Sequence, residues 1–398
     1  MRERQAPGFQ LVEQVGGPLP ACDHTWRYTE TLDPSIRVEG SDPHTISLIH
    51  KPFDIGVAEV RNAWMWSIPR AEDLRNATIE GQWFRYDGAH MIVSLDGYTY
   101  SDLLFRNHGL PRTVNLLDGG DLQMPANPPA DAERITDDCI LLGDIHNHFG
   151  HVLVEAVNRM WYLRYIPATD RNRFKYVFFS TWGALNDSLI VKFLQLYNIN
   201  LDNVLIIDRQ VIFDKLIVPS PAQRPFIGWD VYYSQTMENW YHELRELYLQ
   251  QHRPTVAPKD KIYLSRGQFI AARQGQRRMT EVEEVETRFK EAGFDIIYPE
   301  KLPFEDQVLL SSSAAEIVGP AGSAHHIAAF ATNLKRQTIL THPHFFLPVA
   351  DASFTMMKKA EITYYFGTVD NPNLNSLEAD WSIVPEMFEP WFERRYGS

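Results

Sequence analysis

From about residue 138 the chain adopts a rhythm that few folds accommodate: short apolar runs alternate with segments of helical period, twice over. The first series reads as strand Cys139-Ile-Leu-Leu142, a helix over Phe149–Tyr165, strand Lys175–Phe179, and a helix over Ser188–Tyr197. Strands Val204–Ile207 and Lys215–Val218 and a helix over Met237–Gln251 complete it. Thr255-Val-Ala-Pro258 breaks the pattern, because proline removes a backbone donor and disfavours helix at the residue before it. The second series follows with strand Ile262–Leu264, helix Glu281–Ala292, strand Phe294–Tyr298, helix Phe304–Ser313, strand Ile317-Val318, helix Ser323–Ala331 and strand Thr338–Leu340. Continuous apolar strands separated by helices are the pattern of parallel sheets covered on both faces. The expected fold class is therefore α/β, with two doubly wound, Rossmann-like domains.

What precedes and follows this rhythm is different in kind. Residues 1–45, rich in Pro and Gly, read as an extended arm, and 46–105 read as short strands with turns at Tyr86-Asp-Gly88 and Asp96-Gly97. Residues 111–135, with Gly119-Gly120 and Pro125, Pro128 and Pro129, read as a connector. The expected division is an arm and β-rich region over 1–137, one Rossmann-like domain over 138–254 and a second over 255–370. Residues 371–398 form a terminal segment whose amphipathic helix, Ile383–Arg395, carries Trp391.

Composition narrows the chemistry. The net charge of −13 over 398 residues excludes a general nucleic-acid binder, which needs a basic field. Two cysteines, Cys22 and Cys139, make no disulfide framework and no metal spacing, which fits a reducing cytoplasm. No segment approaches the apolar length of a membrane span, so any membrane contact is expected to be peripheral. The 12% aromatic content suits either sugar stacking or a large core.

The strand ends of the second series carry the chemistry. Ser265-Arg266 follows an apolar strand, and an arginine at the C-terminal end of a parallel strand suits a phosphate or diphosphate. Arg277 and Arg278 precede a helix with Thr280 as N-cap and Glu283 in a capping box, so arginine there opposes the helix dipole unless it faces an anion. Gly319-Pro-Ala-Gly322-Ser323 joins a buried strand to a helix, where Gly322 permits close approach and the Ser323 amide can hold a phosphate. Gln307 and Asp306 open another helix and are candidates for a ligand hydroxyl or, for Asp306, for simple capping.

In the first series, Asp144-Ile-His146-Asn147-His148-Phe-Gly-His151 runs into a helix carrying Glu155. His151 and Glu155 stand one helical turn apart, so the carboxylate can set the tautomer of a histidine that accepts a proton. The same residues read as His-x-His-x-x-His resemble the metal-binding loop of metallo-β-lactamase-like hydrolases. There Gly150 replaces an expected Asp, and the candidate downstream ligands His342 and His344 flank Pro343. A structural role, with His151 capping the helix and Glu155 pairing with Arg159, is the third reading.

Together these residues resemble glycosyltransferase family 61 over roughly 140–335, in a bacterial polysaccharide-type member. His148-Phe-Gly-His151-Val-Leu-Val-Glu155 is similar to the family's helix start. Ser265-Arg266, Arg277-Arg278, Leu302-Pro-Phe-Glu-Asp306-Gln307 and Gly319-Pro320-Ala-Gly322-Ser323 are similar to its C-terminal series. The chain departs from that pattern at Glu281 and Val282, at Ala321 where the family carries His, and at Ile327; His325 and His326 are candidates to compensate.

The resemblance implies a GT-B-like architecture, with donor on the C-terminal domain, acceptor on the N-terminal one, and the terminal helix crossing back. It implies an inverting, metal-independent transfer of a sugar from a nucleotide sugar, such as a UDP-sugar, to a glycan or lipid-linked saccharide. No cofactor is expected. Arg266, Arg277, Arg278, Gln307, Gly322 and Ser323 are the implied donor contacts, and His151 and Glu155 the implied catalytic pair. Asp306, His325, His148 and Asn147 are further candidate contacts. The implied setting is capsule or lipopolysaccharide assembly in the cytoplasm or at the inner face of the membrane. The alternatives are a metal-dependent hydrolase on His146, His148 and His151, or a non-catalytic saccharide- or nucleotide-binding relative.

Overall fold

The computed structural model describes residues 35–50, 57–68, 78–79, 82–83, 89–94, 130–182, 184–207, 209, 211–219, 221–227, 230–268, 277–346, 348–369, 371 and 379–397. Two compact units divide the chain: 1–29 with 52–227, and 30–51 with 228–398. In chain order the main strands are β1 (Ser35–Gly40) and β2 (His44–Ser47), then β3 (Val57–Ile68), β4 (Ala89–Ser94), β5 (Glu133–His146), β6 (Lys175–Trp182), β7 (Val204–Ile207) and β8 (Val211–Pro219). They continue with β9 (Lys261–Leu264), β10 (Asp295–Ile297), β11 (Glu316–Pro320), β12 (Arg336–Thr341) and β13 (Glu361–Phe366). The helices are α1 (Leu189–Leu196), α2 (Gln235–Gln251), α3 (Val282–Glu291), α4 (Phe304–Ser313), α5 (Pro348–Met357) and α6 (Pro385–Tyr396).

The first unit is built on a sheet in the order β7-β6-β5-β8-β3-β4, parallel from β7 to β8 and antiparallel beyond it. The chain starts at β5, steps outward to β6 and β7, then returns to β8 on the other side of β5. Its core gathers Met65, Cys139, Leu141, Val177, Phe179, Phe213 and Leu216. The runs at 57–60 and 91–94, expected within a separate β-rich region, are instead β3 and β4, the antiparallel edge of this sheet. Within β3, Ala63 and Met65, two residues apart, face the core. The turns proposed at 86–88 and 96–97 and residues 111–129 of the connector lie outside the described residues, while the connector's end, from Glu133, is the start of β5.

The second unit holds a sheet in the order β10-β9-β11-β12-β13-β1-β2, parallel except for its last pair. Here the chain starts at β9, steps to β10, and returns to β11 on the other side. The part of the lead-in read as an arm therefore includes β1 and the start of the edge strand β2, since Ile36 and Val38 alternate into the core beside β13. Helix α2, assigned from sequence to the N-terminal domain, packs instead in this unit against α4 and the turn over 323–330. Thr255, in the expected linker, is fastened to α4: its amide donates to Asp306 Oδ1 at 2.6 Å and its hydroxyl to Oδ2.

The terminal helix α6 lies in the second unit. Phe388, Trp391 and Phe392 close the core of their own unit, beside Tyr263, Phe289, Phe294 and Tyr365. Much of the aromatic content is accounted for in the same way, with Tyr176, Trp240, Tyr241, Tyr263 and Tyr364 fully buried. No helix among the described residues is long and apolar enough to cross a membrane.

Candidate functional site

In each sheet the chain leaves its first strand toward one side and returns on the other, which opens a crevice beyond the carboxyl ends of the two strands that flank the reversal. In the first unit those ends are His146 of β5 and Pro219 of β8; in the second they are Leu264 of β9 and Pro320 of β11. The residues singled out in the sequence cluster after these ends.

In the first unit, the segment read as one helix over 149–165 is broken. A short α-helical turn, Phe149–His151, passes into a π-helical turn, Val152–Ala156, and a 3-10 helix resumes at Met160–Tyr165. The widened turn closes with Val157 N–H on Val152 O at 3.2 Å. Widening frees carbonyls from the α ladder, and Gln223 takes two of them: its amide nitrogen lies 2.8 Å from both Leu153 O and Val154 O. The same loop after β8 gives the Ala222 amide to Asn158 O, and Arg159 donates to Pro219 O. From the other side β5 passes so close that a Cβ on Gly143, held at φ 141°, would lie 2.3 Å from Ala156 O. Gln223 and Gly143 were not identified from sequence; nothing in their neighbours signals a π turn.

This turn sets His151 against Glu155, the pair expected from sequence to be catalytic. His151 Nδ1–H donates to Glu155 Oε1 at 3.1 Å, with the imidazole 27% exposed and the carboxylate 7%. A proton on Nδ1 leaves the lone pair on Nε2, the tautomer a general base needs. Arg159 is occupied at Pro219, so the expected Glu155–Arg159 pairing is replaced by His151–Glu155. Glu155 Oε2 is buried without a hydrogen-bond partner. His146 stacks on His151, ring centroids 4.5 Å apart and planes at 18°, and His148 lies 4.8 Å from His151. Nitrogen lone pairs lie in the ring plane, so stacked rings do not converge on one ion. Among the described residues no group of three or more His, Cys, Asp or Glu side chains is arranged to hold a metal. His148 and Asn147 are exposed at the turn.

In the second unit, Ser265 is buried and donates its hydroxyl to Glu286 Oε1 while accepting from the Gly267 amide at 3.0 Å. Ser265 thus shapes the turn, and Arg266 is carried onto the β11 end, where Nη1 donates to Ala321 O. Gly322 makes room for it: a Cβ there would stand 2.8 Å from Arg266 Nη1. Gly319 lets β11 approach β9, since at φ 158° its Cβ would stand 2.4 Å from Leu264 O. Ser323 begins a 3-10 helix, Ser323–Phe330, behind the Gly322 cap.

Arg277, at φ 51°, stacks on Phe345 with its guanidinium carbon 3.6 Å from the ring centroid. Its Nε and Nη1 are buried without partners. Burial, and next the charge of Arg266, push its pKa down to about 9, so it is still a cation near neutral pH. Burial likewise lowers that of Arg266, against the pull of Glu300. Arg278, by contrast, is exposed and turned to Asp380, Nε to Oδ2 3.8 Å. The structure therefore separates the basic pair: Arg277 joins Arg266, and Arg278 does not.

Other expected contacts are engaged within the fold. The Gln307 amide nitrogen donates to Pro299 O and Leu302 O, closing the turn before α4. Asp306 holds Thr255 of the preceding segment rather than capping α4. His325 is fully buried, donating Nε2–H to Gly319 O at 3.1 Å and accepting at Nδ1 from Gln337 at 3.0 Å; burial lowers its pKa. It braces the Gly319 turn rather than facing a ligand. The capping box is absent: Thr280 bonds Glu281 and Ser382, and α3 starts at Val282 with Glu281 as an N-cap that makes no side-chain bond.

A half-buried arginine pair lies at one strand reversal and a histidine–carboxylate pair at the other. Residues 149–339 match the family model of glycosyltransferase 61. No curated protein matches the chain. The family 61 segment spans just under half of the chain. It begins at the turn that carries His151 and Glu155, includes Arg266, Arg277, Gly322 and Ser323, and ends within β12. Sugar transfer, with a sugar donor and an acceptor, is what the glycosyltransferase 61 match implies.

Proposed function

We propose that the protein is an inverting, metal-independent glycosyltransferase of GT-B type that uses a nucleotide sugar, such as a UDP-sugar, as donor and a glycan or lipid-linked saccharide as acceptor. The observation that carries this reading is Arg277 beside Arg266 at the β9–β11 reversal, a guanidinium with two buried nitrogens unpaired and a second cation as neighbour. Two adjacent cations match a diphosphate, and they supply the positive charge its departure from the sugar requires. Arg266 and Arg277 bind it, with the Ser323 amide at the start of the following helix as a further donor. The acceptor hydroxyl gives its proton to His151 Nε2 as oxygen attacks the anomeric carbon from the face opposite the leaving group. The C–O bond to the diphosphate breaks with the electron pair leaving on phosphate oxygen, and Glu155 stabilises the imidazolium that forms.

The test is binding of nucleoside diphosphates to the purified chain in EDTA, by calorimetry. One of UDP, GDP, CDP or dTDP is expected to bind, and Arg266→Ala to weaken it by about tenfold or more, the loss typical of a hydrogen bond to a charged group. Arg278→Ala is expected to leave it unchanged. Equal affinity in the Arg266 variant would remove this residue from the donor site.

A further inference from the structure

Three imidazoles lie near the C-terminal edge of the second sheet, and their hydrogen bonds set them apart. His325 engages both ring nitrogens, with Gly319 and Gln337. His326 places Nε2 3.4 Å from Asp351 Oδ1. His342, which directly follows β12, is 0% exposed and has no hydrogen-bond partner at Nδ1 or at Nε2. Burying polar groups unpaired is destabilising, and here both polar atoms of one ring are in that position.

The surroundings of His342 are those of Arg277. Phe345, on which the Arg277 guanidinium stacks, has its ring centroid 6.3 Å from that of His342 and donates its amide to His342 O at 2.9 Å. Trp381 lies 6.2 Å from the imidazole and donates its amide to Arg278 O, the residue after Arg277. On the β11 side, the Ala321 amide donates to Leu340 O two residues before His342, and Ala321 O accepts from Arg266. His342 and Arg277 thus both pack beside Phe345, next to the β11 end on which Arg266 is held. Two nitrogens of Arg277 and two of His342 are buried there without partners.

We propose that His342 is a further contact to the anionic ligand of this site, donating its ring N–H to a diphosphate oxygen held by Arg266 and Arg277. This rests on the donor-site reading above and adds a residue beyond it. Burial, His344 and Arg277 keep the imidazole neutral, its pKa lowered to about 4. A neutral ring adds a directed hydrogen bond without a third positive charge beside two guanidiniums. If its role were packing alone, an apolar side chain of similar size would serve better, since it leaves no polar atom unpaired.

The experiment titrates the full chain and its His342→Leu, Arg277→Gln and Arg278→Ala variants with inorganic pyrophosphate, a probe that needs no knowledge of the base or sugar. The thermal midpoint of each variant is read in parallel. His342→Leu is expected to weaken pyrophosphate binding by about tenfold while its midpoint stays the same or rises. Unchanged affinity in a folded His342→Leu chain overturns the proposal, and so does weakened affinity accompanied by a lowered midpoint, which marks a structural role. Should His342→Leu fail to fold, the His342 ring resonances of the labelled wild-type protein decide as pyrophosphate is added: a shift supports the contact and no shift overturns it. Weakening by Arg277→Gln with none by His342→Leu sinks this inference alone. Equal binding by wild type and Arg277→Gln sinks the donor-site reading and this inference with it.

Discussion

Glu155 accepts from His151 across one turn, and in the proposed transfer this pair supplies the base. Removing the imidazole by His151→Ala is expected to reduce turnover by about 10²–10⁴-fold while nucleoside diphosphate affinity is retained, as measured on product formation and on binding separately. Retained turnover would dismiss His151 as the base. His342 makes a prediction of a different kind. Its pKa falls from 6.5 to about 4 in the folded chain. Between those values the unfolded chain binds the additional proton, so the stability linked to His342 is full above 6.5 and is lost as pH falls toward 4. His325, also lowered by burial, adds in the same direction. Urea midpoints of wild type are expected to drop from about pH 7.5 to about pH 5, and His342→Leu to flatten part of that drop. The same slope in both proteins would show that His342 is not held neutral.

The π-helical turn over Val152–Ala156 shows how an element is decided outside its own sequence. Val152, Leu153, Ala156 and Val157 have helical spacing, and a regular α-helix is what their period predicts. The regular ladder gives way because Gly143 brings β5 onto Ala156 O and because Gln223 offers one amide to two carbonyls. The turn in which His151 meets Glu155 is therefore held by a residue some 70 positions away. Gln223→Leu leaves the Leu153 and Val154 carbonyls buried and unpaired. It is expected to destabilise the protein by about 1–3 kcal/mol in urea unfolding. Turnover should fall more than donor affinity does. An unperturbed variant would show that the π turn stands without it.

Across the molecule, the two sheets repeat one device: the strand order reverses beside the first parallel strand, β5 in one unit and β9 in the other, and the chemistry-bearing residues follow the strands at that reversal. In the second unit α6 completes the core, with Trp391 packed between Tyr365 and Phe388 at centroid distances of 4.5 and 5.4 Å. Trp391→Ala is expected to cost about 3–5 kcal/mol, as seen when large aromatic side chains are removed from a core, read as a lowered unfolding midpoint. A loss below about 1 kcal/mol would mean that the helix is peripheral to that unit's stability.

Alternation of strand and helix, the strand-end position of Arg266, the Gly319–Ser323 turn and the one-turn spacing of His151 and Glu155 were all legible in the sequence, because each depends on residues close in the chain. Propensity and period act locally, so they reveal elements and what stands at their ends. Which of Arg277 and Arg278 turns inward was not legible: the choice depends on Phe345 and Asp380, both distant in sequence. Nor was the use of Asp306, Gln307 and His325 as internal braces, since a polar residue at a helix start looks the same whether its partner is a ligand or a carbonyl from another strand. Strand β1, the broken helix at Val152–Ala156 and the docking of α6 belong with these. Their partners are set by packing between segments far apart in the chain, and only the tertiary structure brings those segments together.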